Sequence, residues 1–291
     1  MSIKHSNISI FVPHIGCPNK CSFCKSNYMN FDLKSVPFEY LEKLKVRMDE
    51  VNTNYLLNYI RIGSSNLSLY GVDLYKEQRA HEAIKILTGA DCIKWAEVGA
   101  LINFYPKLIN EIINNEKIKS VFISLESGSE RVYNLMNRPI PLNKLKEIIK
   151  LIRKERPDIL INTEIICGFP TETLSDLYKS IDTLYELDIN PQFLHPYMNS
   201  YCVPSSKLQQ HSLDKCIELV RYAEERLIGL SSKFNKFVRD GEKIVVSKDD
   251  ELRLYSLMSI DGTVDYDFYD EFEEEYEVND VFNRSLVKKY K

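Results

Sequence analysis

Apolar and polar positions along the chain switch repeatedly between two periods. In NISIFVP (7–13), Ile8, Ile10 and Val12 alternate with their neighbours, the two-residue period of a strand. A helix is expected near 38–50, and YIRIG (59–63) reads as a second strand followed by the loop SSNLSLYGVDLY (64–75). IKWAEVG (93–99) predicts a strand and YPKLINEIINN (105–115) a helix. SVFISLE (120–126) is almost continuously apolar, as in a strand buried on both faces. Leu142, Leu145, Ile148, Ile149 and Ile152 fall on one face of a helix over 142–155. Pro157 precedes a strand, DILINTEIICGF (158–169). Leu174, Leu177, Ile181 and Leu184 mark a helix near 173–187. PQFLHPYM (191–198) makes a sixth strand, and a helix fills 212–233.

Six strand–helix units in order predict an α/β fold, a parallel sheet covered by helices. Six are too few for a closed eight-stranded barrel, so the expectation is a partial (β/α)6 TIM-like barrel. In such folds the chemistry sits at the carboxyl ends of the strands. Beyond the last helix the pattern breaks. The expected division is a barrel over 1–235 and an acidic C-terminal extension over 236–291. Acidic residues crowd Asp261 to Asp280, and no Lys or Arg falls between Arg253 and Arg284. Tyr266, Phe268, Tyr269, Phe272 and Tyr276 are interleaved with them. The first expectation is a solvated acidic face; packing on the barrel, or steering of a basic substrate, stays open.

Composition narrows the class without naming a function. Hydrophobic residues make up 44% and charged residues 27%, the balance of a globular protein with a sizeable core. A net charge of −4 gives the whole molecule no attraction for nucleic acid or anionic membranes. The N-terminus is too short and polar for a secretory signal, and no run is long enough to span a bilayer. The protein is therefore expected in the cytoplasm. In that reducing compartment its seven cysteines do not read as a disulfide framework.

Three of the cysteines stand together. GCPNKCSFC (16–24) spaces Cys17, Cys21 and Cys24 as C-x3-C-x2-C, directly after the first strand. Thiolates are soft ligands that suit zinc or an iron–sulfur cluster. A structural zinc site needs a fourth protein ligand, and His14 stands three residues before Cys17. A cluster held by three cysteines would instead keep one position open.

The spacing, with Phe23 before the last cysteine, resembles the radical S-adenosylmethionine (radical SAM) superfamily. Further blocks resemble its methylthiotransferase branch. These are IRIGSSNLSLYGVD (60–73), SLESGSERVYNLMNRP (124–139), NTEIICGFPTET (162–173) and PYMNSYCVPSSKL (196–208). Glu126 stands where that branch usually carries Gln, and Glu164 where it carries Asp. The resemblance implies a [4Fe–4S] cluster on Cys17, Cys21 and Cys24, with the fourth iron chelating S-adenosylmethionine. It implies reductive cleavage to a 5′-deoxyadenosyl radical, fed by an electron donor such as flavodoxin or ferredoxin.

By the same resemblance, Gly63, Ser64 and Asn66 would lie near the methionine moiety. Glu126, Ser127 and Arg138 would lie near its amino and carboxylate groups or the ribose. Phe23, Ile165 and Tyr197 would lie around the adenine. Cys202, after the sixth strand, is a candidate hydrogen-atom donor to a substrate radical. The branch's N-terminal second-cluster domain and basic RNA-gripping C-terminal domain are not expected here, because only sixteen residues precede Cys17 and the far end is acidic. Hydrogen abstraction from a peptide or small metabolite is the first expectation, with no nucleic-acid or membrane partner. Sulfur insertion into RNA or protein is the second, and a non-catalytic metal-binding scaffold the third.

Overall fold

The computed structural model describes residues 8–11, 13–24, 32–55, 59–198, 203–229, 244–245 and 253–254. The chain divides into two compact units, Met1–Phe234 and Asn235–Lys291. In the second, the described residues form one antiparallel pair, Ile244–Val245 with Arg253–Leu254. The acidic stretch 261–280 lies outside the described residues.

The first unit opens with β1 (Ile8–Phe11). A small antiparallel ribbon follows, β2 (His14–Ile15) against β3 (Lys34–Ser35), and it brackets the cysteine loop. Then come α1 (Phe38–Tyr55), β4 (Tyr59–Gly63), the single turn α2 (Val72–Tyr75) and α3 (Ala80–Thr88). The chain continues through β5 (Trp95–Leu101), α4 (Pro106–Asn114), β6 (Ile118–Ile123), α5 (Glu130–Leu135) and α6 (Leu142–Glu155). It closes with β7 (Leu160–Cys167), α7 (Leu174–Leu187), β8 (Asn190–Pro196) and α8 (Leu213–Gly229).

The strands form one sheet in the order β1-β4-β5-β6-β7-β8, every pair parallel. This is the partial (β/α)6 barrel that the alternation predicts. Sequential order with parallel pairing places all six carboxyl ends on one edge, where the cysteine loop leaves β1. The helices cover the sheet with the faces their periodicity marks. Leu142, Leu145, Ile148, Ile149 and Ile152 of α6 are all buried, as are Leu177, Ile181 and Leu184 of α7. A capping box at Thr173 and Asp176 fixes the start of α7. No described helix is long and apolar enough to cross a membrane.

The structure departs from the sequence expectation at several points, the β2–β3 ribbon, α2 and α5 among them. Helix α3 was unforeseen, because its buried face is partly alanine: Ala80, Ala83, Ile84 and Leu87 are fully covered. Strand β5 starts at Trp95 rather than 93. Strand β6 stops at Ile123, three residues short of Glu126. There the chain turns, with Glu126 in the left-handed region at φ 64° and joined to Ile165 by an isolated bridge.

Candidate active site at the cysteine loop

Backbone contacts from distant elements hold the cysteine loop at the sheet edge. Ser22 donates its N–H to Met136 O (2.9 Å) and its hydroxyl to Leu135 O (2.8 Å), at the end of α5. The Ser22 carbonyl accepts from both the N–H (3.0 Å) and the hydroxyl (2.9 Å) of Ser205, beyond β8. Asn137 Nδ2 donates to Lys20 O at 2.7 Å. The loop is thereby tied to both sides of the barrel mouth.

Cys17, Cys21 and Cys24 are free thiols, Cys21 buried and the other two partly so. They lie near enough to repel one another as thiolates. Burial, the largest cause, pushes the Cys17 and Cys21 thiols up. Among the described residues, no group of three or more His, Cys, Asp or Glu is arranged to hold a metal ion. A four-iron cluster is held by thiolates on separate irons, so its demand is a loop with three clustered soft ligands. His14, the conceivable fourth zinc ligand, is fully buried with Nε2 at 3.3 Å from Ser64 Oγ. Burial pulls its imidazole down to about 4, so it is neutral.

Arg138 connects the loop to the strand ends. Its Nη1 donates to Cys21 Sγ at 3.2 Å and its Nη2 to Ser124 O at 2.6 Å. The Glu126 carboxylate lies 3.9 Å from Nη1, and the guanidinium sits 5.7 Å from the centre of the Phe23 ring. Burial, the largest cause, opposes the arginine's charge, but Glu126, Cys21 and Tyr133 together outweigh it. Its Nε is buried with no acceptor. On the other side, Asn66 Nδ2 donates to Asn103 Oδ1 (2.7 Å) and lies 3.8 Å from Cys17 Sγ. Asn66 Oδ1 is buried with no donor. These two orphaned atoms, one donor and one acceptor, flank the cysteines, and a buried polar atom without a partner calls for a ligand.

The other candidates separate. Gly63 ends β4 opposite Gly99 of β5, and Ser64 bonds His14. The Ser127 hydroxyl lies 3.1 Å from Ser180 Oγ of α7 and accepts from Ser129 N. Tyr197 belongs to a buried cluster with Val132, Met136, Phe169 and Cys216, and Phe23 packs on it. Ile165 is fully buried, while its neighbour Ile166 is the one packed against that cluster. Cys202 lies outside the described residues.

Sequence reasoning missed two groups. Asn103 accepts from both Asn19 Nδ2 (2.8 Å) and Asn66, which joins the cysteine loop to the end of β5. Glu164 on β7 hydrogen-bonds the Glu126 carboxyl and lies 3.4 Å from His195 Nε2 on β8. Burial first, then Glu164, hold Glu126 well above the usual carboxylate range, against the pull of Arg138. The two carboxyls thus stand in direct contact, one on the turn after β6 and the other on β7. The result is a polar file along the strand ends: Cys21, Arg138, Glu126, Glu164, His195.

A model of the radical SAM superfamily matches residues 11–184. The ribosomal protein uS12 methylthiotransferase RimO of Clostridioides difficile is 27% identical over 231 residues, covering 77% of this chain and 50% of that protein. A tRNA-2-methylthio-N(6)-dimethylallyladenosine synthase of Thermotoga petrophila is 32% identical over 175 residues, 57% of this chain and 38% of that protein. The chain spans about half the length of such curated relatives, or less. Among solved structures, coproporphyrinogen III oxidase from Escherichia coli superposes with TM-score 0.53 at 13% identity, covering 79% of this chain and 54% of that one. Methylornithine synthase gives 0.51 at 10% identity, covering 75% and 62%. These likenesses are of fold. The chain belongs to the radical SAM superfamily.

Proposed function

We propose that this chain holds a [4Fe–4S] cluster on Cys17, Cys21 and Cys24, binds S-adenosylmethionine beside it, and abstracts hydrogen from a peptide or small metabolite. The observation that carries this reading is the charged, buried Arg138 between Cys21 and Glu126, with an unused Nε. When bound and reduced, the cluster supplies the electron that splits the sulfonium into methionine and a 5′-deoxyadenosyl radical. The chain's own residues bind and orient. Arg138 offers charge-assisted N–H donors to a carboxylate. Asn66 Oδ1 suits an ammonium. Glu126 can exchange hydrogen bonds with ribose hydroxyls, and Phe23, Tyr197 and Ile166 give the adenine an apolar wall. A closed, dry site then protects the radical.

In this reading residues 1–235 are the catalytic barrel and 236–291 an acidic extension. The protein works in the cytoplasm with a donor such as flavodoxin or ferredoxin, and without nucleic acid. Cys202 remains the proposed hydrogen-atom donor. A second reading, sulfur insertion, is favoured by the methylthiotransferase names of its relatives. Anaerobic reconstitution tests the first step. The reduced protein should show a cluster electron paramagnetic resonance signal that S-adenosylmethionine alters, and should release 5′-deoxyadenosine. A Cys17/Cys21/Cys24 triple alanine variant that kept a full cluster would overturn the assignment, as would wild type holding zinc alone. Sulfur in the product, read by mass, would select the second reading.

A further inference from the structure

The polar file ends on a group that cofactor binding does not use. Glu164 and His195 stand on adjacent strands, with Glu164 opposite Phe193 in the ladder. The register of β7 and β8 slips between Thr163 and Glu164, leaving Gln192 as an extra residue. The slip lets His195 Nε2 reach within 3.4 Å of a Glu164 carboxylate oxygen. The rings of Phe193 and His195 stack at 5.5 Å and 23°. Glu164 is 30% exposed and His195 44%, in contrast to Glu126 at 6%. The file therefore runs from buried to open.

We infer that Glu164, with the Phe193–His195 ring pair beside it, recognises a positively charged group of the substrate, a protonated amine or a guanidinium. The inference rests on the reading above, in which the substrate enters at these strand ends. Two features agree on the charge. The Glu164 carboxylate accepts hydrogen bonds, and charge-assisted ones are strongest. Beside it stands a partly exposed stack of aromatic rings, a surface that attracts cations.

The competing role is a plain ion pair. Among the described residues, His195 is the one basic group paired with Glu164. A pair this exposed does little for stability, and it is easily opened by a better cation. Arg138 cannot serve, being committed to Cys21, Ser124 and Glu126. An anionic substrate group would meet the Glu164 carboxyl with the Glu126 carboxyl directly behind it.

Paired probes test this on the cluster-loaded protein with S-adenosylmethionine present. Nα-acetyl-lysine methylamide carries the amine, and its Nε-acetylated form is the neutral counterpart. Ligand-observed nuclear magnetic resonance should show the amine binding at least tenfold tighter. Glu164→Gln should erase that preference, and Glu164→Asp should keep part of it. In wild type the amine should also shift the His195 ring signal, assigned by His195→Gln, so the test survives if Glu164→Gln does not fold. Equal binding of the two probes to wild type overturns the inference, as does a preference that persists in Glu164→Gln or a silent His195 signal. Failure of the underlying reading looks different. Amine preference without 5′-deoxyadenosine formation sinks that reading alone, and 5′-deoxyadenosine formation without amine preference sinks this inference alone.

Discussion

Arg138 Nη1 donates to Cys21 Sγ at 3.2 Å across 117 positions of sequence. The contact exists because the turn after α5 and the loop after β1 meet at one edge of the sheet. It makes Arg138 the shared counter-charge of a thiol and a buried carboxyl.

Removing that charge should therefore disturb both neighbours. Arg138→Ala leaves the Ser124 carbonyl buried without this donor and takes the guanidinium from beside Glu126, and orphaning a buried acceptor costs about 1–3 kcal/mol. Urea unfolding of the cluster-free protein should show the loss, and iron loading after reconstitution should fall. Arg138→Lys should recover part of it, since one ammonium cannot reproduce the forked contacts to Cys21 and Ser124. Unchanged unfolding and loading in the alanine variant would deny Arg138 its linking role.

Ser205 offers a test of how the loop is held. Its hydroxyl donates to Ser22 O and lies 2.8 Å from the Tyr197 hydroxyl. Ser205→Ala removes both contacts but keeps the backbone bond to Ser22. The expected cost is about 1 kcal/mol. Because the loss falls on the loop, iron release to a chelator should quicken several-fold while the melting temperature moves little. An unchanged release rate would mean that the bonds to Met136, Leu135 and Asn137 and the Ser205 backbone N–H hold the loop without the Ser205 hydroxyl.

How far the chain could be read in advance depended on the range of the interactions. Leu142 through Ile152 announce α6 because one helical face carries the large apolar groups. Ala80 and Ala83 hide α3, since alanine is small enough to be buried without marking a face. The cysteine spacing is local and visible. The partnership of Glu164 with Glu126 and His195 is not, because it depends on which strands are neighbours and on a one-residue slip beside Gln192. Ile165 and Ile166 make the same point at one position. Period-two alternation says that they face opposite ways, and only the assembled sheet tells which one meets Phe23 and Tyr197.

Glu172 makes folding depend on pH. Its carboxyl is buried in the turn between β7 and α7, accepting from Gly168 N–H, and its other oxygen has no donor. Burial pushes it from 4.5 up to about 7; Asp176 adds to the rise, while the N–H groups of Gly168 and Phe169 and the charge of Arg131 oppose it. A folded value above the unfolded one means that the contribution to folding is full below about 4.5 and is lost as pH rises through about 7. Glu172→Gln keeps an acceptor for Gly168 and cannot ionise. Relative to wild type, it should gain on the order of 3 kcal/mol between pH 5 and pH 8. Parallel unfolding curves for the two proteins across that range would remove Glu172 from the account.

Gly168 should be irreplaceable for two separable reasons. Its φ of 83° lies in the left-handed region, which costs a side-chain-bearing residue roughly 1–2 kcal/mol. A Cβ there would also stand 2.5 Å from Cys216 Sγ and 3.0 Å from Cys216 Cα. Gly168→Ala should thus destabilise by more than the backbone term alone, at least about 3 kcal/mol once α8 is forced from the end of β7. Adding Cys216→Ala removes the sulfur and should return part of the collision cost, but the Cys216 Cα and the strained φ remain. Chemical denaturation of the two variants separates the terms. Full rescue by Cys216→Ala would assign the whole penalty to the sulfur, and no penalty in Gly168→Ala would show that the turn after β7 can shift away from α8.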